Sequence, residues 1–277
     1  MAITAADVKA LRDKTGAGMM ECKKALTECN GDIAEAEKLL KEKGLAAVAK
    51  RSERATSEGR LFVRQVGNKI ALVEVTCETD FVANNSDFVA AGEKMLDVTF
   101  EKGYTKVEAE HEAILEPLKV SIRENMKIAK VEVVEIPADA VGAFYVHSDK
   151  KTGAIVVVKG STADVVKTFA YDCCLHIAAF TPAYISKKDV PDTYVAEQKE
   201  IFKAQMDQDE KMAGKPENVK EGILMGKINK HLAEICFEDQ MFVKDDKKTV
   251  TAKLAEVGKE AGASLSFATA KLYVLGK

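Results

Sequence analysis

Little in this 277-residue chain favours one sign of charge. Its 41 Lys and Arg stand against 44 Asp and Glu, a formal net charge of -3 with 31% of residues charged. Such a surface exerts no whole-chain attraction on nucleic acid or on an anionic membrane, so direct RNA binding is disfavoured. Long hydrophobic runs are missing too: the apolar stretch 154–158 has strand length, and Met1-Ala2-Ile3-Thr4 leads straight into a charged amphipathic pattern rather than a signal peptide. A soluble protein of cytoplasmic location, away from membranes, is the expectation. The six cysteines, Cys22, Cys29, Cys77, Cys173, Cys174 and Cys236, show no Cys-x-x-Cys spacing, which argues for reduced thiols rather than a disulfide scaffold. The adjacent pair Cys173-Cys174 suggests redox chemistry, but neighbours on a helix point about 100° apart. Both read as small packing residues, with a thiol enzyme as a rival class.

Catalytic signatures are absent as well. There is no Gly-x-x-x-x-Gly-Lys-Ser/Thr loop to hold a nucleoside triphosphate and no Gly-x-Ser-x-Gly elbow. His111-Glu112-Ala113-Ile114-Leu115 begins like a zinc-protease helix, but leucine stands where the second histidine is needed to share the metal. Carboxylates abound without a catalytic frame. Neither an enzyme nor a cofactor or metal is expected.

What is present reads as α+β. Residues 1–55 form a three-helix unit. Thr4 and Asp7 have capping-box spacing, and Ile3 with Val8 sits where a hydrophobic staple would lie. Helix one runs to about residue 14, a Gly-rich turn follows, helix two covers 19–29, and helix three starts at Asp32 and stops at Gly44. Lys50, Arg51, Arg54 and Arg60 read as a solvated polar joint, since no aromatic interleaves them. From Gly59 the pattern changes to strands: 61–66, a Gly67-Asn68 turn and 69–76 give a hairpin signal, with a helix over 86–101 after it. A shorter helical stretch, 107–118, is broken by Pro117, and the apolar segment 120–136 switches to a strand by Pro137. The same grammar repeats with strands 143–147 and 154–159 and a helix over 163–179. An offset of about eighty residues implies a pseudo-symmetric core of two similar subdomains with antiparallel sheets. Helices over 195–212 and 216–238, linked through 213–215, make a projecting αα-hairpin with an apolar stripe of Ile201, Phe202 and Met206. A helix over 249–262 and a strand over 264–275 close the chain. The expected divisions are 1–55, 56–140 and 141–181, then 182–225 for the hairpin and 226–277 for the return to the core.

Thr79-Asp80-Phe81-Val82-Ala83-Asn84-Asn85 marks the corner between the hairpin and the following helix. Large aromatics are mostly buried, which favours Phe81 as a core residue closing the turn. The other reading is an exposed apolar probe for a partner's pocket, and position alone does not choose. Met19-Met20 carries the same pair of readings, bundle plug or protein-binding surface.

These seven residues closely resemble the signature of the bacterial elongation factor Ts family, the nucleotide-exchange factors of elongation factor Tu. Thr15-Gly16-Ala17-Gly18-Met19-Met20-Glu21-Cys22-Lys23-Lys24-Ala25-Leu26 resembles the start of its members, whose first domain is a ubiquitin-associated-like bundle. Pro182-Ala183-Tyr184-Ile185 and Gln240-Met241-Phe242-Val243 extend the resemblance along the chain. The resemblance implies exchange activity centred on Asp80 and Phe81 within Thr79–Val82, displacing magnesium in the partner. It also implies partner contacts through Arg12, Met19 and Met20. The partner implied is elongation factor Tu, both GDP-bound and nucleotide-free, with a homodimer formed through the helical hairpin in some members. Tyr145-Val146-His147 resembles the family's Tyr-x-His, making His147 a further contact. His176 is expected to be a hydrogen-bonded core residue, and His111 and His231 solvated. Arg123-Glu124-Asn125 departs from the family's common Gly-Glu-Asn, where a glycine serves a special backbone angle. The alternative function is a non-exchange scaffold that binds proteins through the first bundle.

Overall fold

In the computed structural model, which describes residues 3–209, 212 and 214–277, Thr4 caps the first helix with the expected box. Its hydroxyl accepts from Asp7 N at 3.2 Å and the Asp7 carboxylate accepts from Thr4 N at 2.9 Å. Helices α1 (Ala5–Thr15), α2 (Met19–Glu28) and α3 (Ile33–Arg51) bury Val8, Leu11, Cys22, Ala25, Leu26 and Ala36 among themselves. Here α3 overruns its expected stop. Gly44 stays within the helix, and a Cβ there would meet Val120 at 2.8 Å, so its absence admits a neighbouring helix. The extension carries Arg51 out of the solvated joint assigned to it. The side chain is only 9% exposed, with Nε donating to Ala47 O at 3.0 Å and a terminal nitrogen to Lys119 O at 3.3 Å. Carbonyls near a helix C-terminus attract a cation.

The chain divides into two compact units, Met1–Val134 with Leu275–Lys277, and Glu135–Val274. Beyond the bundle, the first holds strands β1 (Glu58–Val66) and β2 (Lys69–Cys77), paired antiparallel in the register Val66 with Lys69, and then a short helix α4 (Asp80–Ala83). Helices α5 (Ser86–Lys102) and α6 (Ala109–Ile122) follow, and β3 (Met126–Glu135) completes a sheet of order β1-β2-β3. Pro117 does not break α6. The lost backbone bond costs roughly 3 kcal/mol, and burial of Leu115 with packing of Ile114, Leu118 and Ile122 against the sheet core offsets it. Gly92, in the middle of α5, lets the Phe62 ring approach so closely that a Cβ would meet it at 2.2 Å.

The second unit repeats the plan: β4 (Ala140–Val146) and β5 (Thr152–Lys159) pair antiparallel and α7 (Asp164–Phe180) covers them. Helices α8 (Asp192–Asp207) and α9 (Glu217–Ile235) come next, then the small β6 (Met241–Phe242) and β7 (Asp245–Thr249) pair and α10 (Val250–Glu260). Strand β8 (Ser266–Val274) closes a sheet of order β4-β5-β8. Within the expected hairpin, Glu210, Lys211 and Ala213 lie outside the described residues. Of the expected apolar stripe, Met206 is buried and Phe202 packs with Leu224, Ile228 and Leu232, leaving Ile201 exposed.

Two histidines correct the expectation of solvated side chains. His111 is fully buried, with Nε2 3.0 Å from the Thr99 hydroxyl and Nδ1 accepting from Glu108 N at 3.0 Å, and burial holds its pKa below the ordinary value. His231 is half-buried, 2.8 Å from the Tyr194 hydroxyl and packed edge-on to Phe202. Among the described residues, no helix is long and apolar enough to cross a membrane, and no group of three or more His, Cys, Asp or Glu is placed to hold a metal.

Candidate functional site

The corner after β2 is a single helical turn with two unlike faces. Thr79 is extended at φ -125°, and its hydroxyl accepts from Val82 N at 3.4 Å, an N-cap that starts the turn. Val82 and Ala83 then point into the sheet core beside Phe62, Val75 and Phe88. Successive helical residues diverge by about 100°, so burial of Val82 turns its neighbour outward. Phe81 is 84% exposed and Asp80 is exposed beside it. The bland reading of Phe81 as a core residue fails on this geometry. The end of the turn is closed by Asn84, whose side-chain amide donates to Asp80 O at 2.8 Å, and Asn85 caps α5.

What holds the turn comes from elsewhere in the chain. The Glu124 carboxylate accepts from Glu78 N at 3.1 Å, Thr79 N at 3.0 Å and the Thr79 hydroxyl at 2.7 Å. Glu78 in turn accepts from Asn125 N at 2.6 Å. Burial pushes the Cys77 thiol up to about 12, and its sulfur donates to Thr79 O at 3.2 Å, so it serves as a packing and bonding group. Sequence reading noted Arg123-Glu124-Asn125 for its unusual first residue and missed Glu124. The available signal was a run of three polar residues interrupting the apolar periodicity between α6 and β3.

Arg123 itself adopts φ 67°, in the left-handed region where glycine is favoured. Its guanidinium pairs with Glu21 in the first turn of α2. Just before Glu21, Met19 and Met20 are 46% and 66% exposed, and Arg12 is exposed in the last turn of α1. Neither methionine plugs the bundle, whose interior is filled by Leu11, Cys22 and Leu26.

In the second unit His147 is exposed just past β4, with Nδ1 3.1 Å from the Tyr145 hydroxyl, and Tyr145 stands edge-on to the exposed Tyr171. His176 is buried as expected. Its Nδ1 accepts from Val243 N at 3.1 Å and its Nε2 lies 2.9 Å from Gln240 Oε1, which fixes the neutral tautomer with the proton on Nε2. Burial lowers its pKa. The thiol rival loses its footing here: Cys173 and Cys174 are wholly buried, burial raises both thiols, Cys174 to about 12, and no thiolate is on offer near neutral pH.

Residues 78–276 match the family described as Elongation factor TS. An elongation factor Ts of Treponema denticola is 54% identical over 100% of this chain and 99% of its own. One from Treponema pallidum is 47% identical with the same coverage, and one from Borrelia duttonii is 43% identical over 94% of each chain. The exposed Phe81 turn, the paired methionines and the repeated hairpin-helix core thus sit in a sequence related end to end to those proteins, and the chain belongs to the elongation factor Ts family.

Proposed function

We propose that this protein is the guanine-nucleotide exchange factor of elongation factor Tu in protein synthesis, with Phe81 as the residue it inserts. The observation that carries the reading is an aromatic ring 84% exposed on a helical turn whose backbone is fixed by Glu124 on one side and by buried Val82 and Ala83 on the other. The shared family and the relatives' names support the choice of partner. Such a factor makes and breaks no covalent bond, so it is not an enzyme of its own. It binds the nucleotide-free partner more tightly than the loaded one, and linkage requires that nucleotide then bind the complex more weakly by the same factor.

On this reading Phe81 enters an apolar crevice between partner helices that support the magnesium and phosphate loops, with Asp80 hydrogen-bonding nearby. Withdrawal of those loops loosens the diphosphate. Burying one phenylalanine contributes about 1.5–3 kcal/mol, whereas a ten-thousandfold change in affinity needs about 5.5 kcal/mol. Phe81 alone is insufficient. Met19 and Met20, each worth a comparable amount when buried, close the gap together with Arg12 and His147. The labour divides along the chain: 1–55 anchors the nucleotide domain, 56–140 delivers the ring, and 141–181 with 226–277 grips elsewhere. The hairpin of 182–225 forms a homodimer, a role supported by exposed Ile201, Val219 and Met225. A cytoplasmic location accompanies this role.

The test is release of a fluorescent GDP from elongation factor Tu. Phe81→Ala is expected to keep the fold and slow release about 10- to 150-fold, the rate equivalent of the ring's burial. Unchanged release by a folded variant would defeat the reading.

A further inference from the structure

Residues 123–125 leave α6 in a left-handed turn, and each grips a different part of the first unit. Arg123 pairs with Glu21, directly after Met19 and Met20. Glu124 receives three donors at the start of the Phe81 turn. The Asn125 side-chain amide donates to Ser52 O at 3.1 Å and Arg54 O at 2.6 Å, where the chain has just left α3. Three consecutive residues therefore join the start of α2, the exit of α3 and the start of α4. Within so short a peptide, movement of one anchor is transmitted to the others.

Apolar packing does this work only in part, through the close approach of Gly44 to Val120. The bundle core around Leu11 and Leu26 and the sheet core around Phe88 and Leu96 are separate clusters. Two cavities, of about 270 and 240 Å³, open where α3 faces α6, the larger bordered by Gly44, Ala47, Arg51, Val120 and Arg123. Both are clefts open to solvent, so little apolar surface is enclosed there. The polar bonds of the seam are directional, and the Glu124 and Asn125 bonds are partly buried, where hydrogen bonds are stronger than in water.

We propose that Arg123, Glu124 and Asn125 form a clasp that sets the spacing between the Met19–Met20 surface and the Phe81 ring, so that docking of the bundle determines where the ring arrives. Glu124 is its central positioning residue and acts through Phe81. The proposal rests on the exchange reading of Phe81.

The experiment compares Phe81→Ala, Glu124→Ala, Glu124→Gln and the double alanine variant in GDP release from elongation factor Tu. It records the maximal rate, the half-saturating concentration and the unfolding midpoint. Glu124→Ala is expected to lower the maximal rate about tenfold or more while half-saturation moves about twofold or less. Glu124→Gln, which keeps one acceptor oxygen, restores most of the rate. The double variant is no slower than the slower single one, because both changes remove one effect. A wild-type maximal rate in folded Glu124→Ala, or multiplied defects in the double variant, overturns the clasp. Where Glu124→Ala does not fold, Glu21→Ala supplies the test: it frees the bundle side, and raised half-saturation supports the clasp while unchanged kinetics overturn it. Wild-type release by Phe81→Ala defeats the exchange reading itself, whereas slow release by Phe81→Ala beside normal release by Glu124→Ala defeats the clasp alone.

Discussion

Helices α5 and α7 are both 17 residues long and share six buried positions, the third, sixth, seventh, tenth, eleventh and fourteenth, to which α7 adds Asp172 and His176. In α5 the shared six are Phe88, Ala91, Gly92, Met95, Leu96 and Thr99, and in α7 Val166, Phe169, Ala170, Cys173, Cys174 and Ile177. The volumes are redistributed: the large ring is third in one helix and sixth in the other, and each hairpin is packed by a different solution to one spacing. Cys173 and Cys174 are counterparts of Met95 and Leu96, which is why they are packing groups. The repeats part company just before their helices. In the first, residues 78–85 intervene and carry α4, while in the second only residues 160–163 do, held by Gly160 N on Asp139 O at 2.8 Å and Ala163 N on the Ser161 hydroxyl at 3.2 Å. What the repeats share builds the scaffold. The extra turn packs Val82 and Ala83 into the sheet core but leaves Phe81 facing outward, an aromatic that the scaffold does not bury.

That contrast is open to direct attack. Its largest consequence concerns rate: Phe81→Ala slows GDP release about 10- to 150-fold, whereas Thr162→Phe, an aromatic on the short connection, leaves release unchanged in the same assay. A comparable rate effect from both would erase the distinction between the repeats. Next comes packing. Gly92→Ala drives a Cβ into the Phe62 ring and is expected to cost about 1–3 kcal/mol in urea unfolding. The reverse change at the matching position, Ala170→Gly, costs about 1 kcal/mol or more through helix propensity and a small void. Equal tolerance of Ala at both sites would show that the two helices are packed alike.

Acid sensitivity is a smaller effect and links the repeats through His111 and His176. Both have pKa values lowered by burial, so each unfolded form binds a proton at a higher pH than the folded form does. Their stabilisation is fully present above the unfolded value of about 6.5 and is lost as pH falls through the lowered folded values. The unfolding midpoint should therefore drop as the pH is taken from neutral to about 5, and His176→Gln should flatten part of that slope. A slope untouched by the substitution would remove His176 from the account. Smallest of all is Arg123→Gly. It relieves a left-handed residue, worth about 1 kcal/mol, and loses an exposed ion pair worth about 0–1 kcal/mol. Thermal unfolding should shift little, and a loss well beyond that would mean that the Glu21 pair contributes more than its exposure suggests.

Strands and helices with clean periodicity were legible, as were caps built from neighbouring residues, such as Thr4 with Asp7. The misreadings share one cause. Gly44 resembled a helix stop, Pro117 a break, Arg51 a solvated joint and His111 a surface residue. Each is reversed by a contact distant in sequence: Val120 against Gly44, the sheet core beneath α6, Lys119 O on Arg51 and Thr99 on His111. At the candidate site the sequence signature located the turn, but local physics favoured burial of Phe81. The exposed result follows from Val82 and Ala83 taking the inward face, a choice made by the shape of the sheet core.

By itself the chain determined that two hairpin-helix repeats would form, because alternation and helical spacing are local properties that survive any arrangement of neighbours. It also determined, through the residues around Thr79 and Met19, which family it joins. Tertiary structure alone decided which side of a one-turn helix faces water, and that Glu124, 45 residues beyond Thr79, holds that turn in place. Hydrogen bonds and close packing act over a few ångströms regardless of separation along the chain, and no local pattern encodes which distant groups will meet.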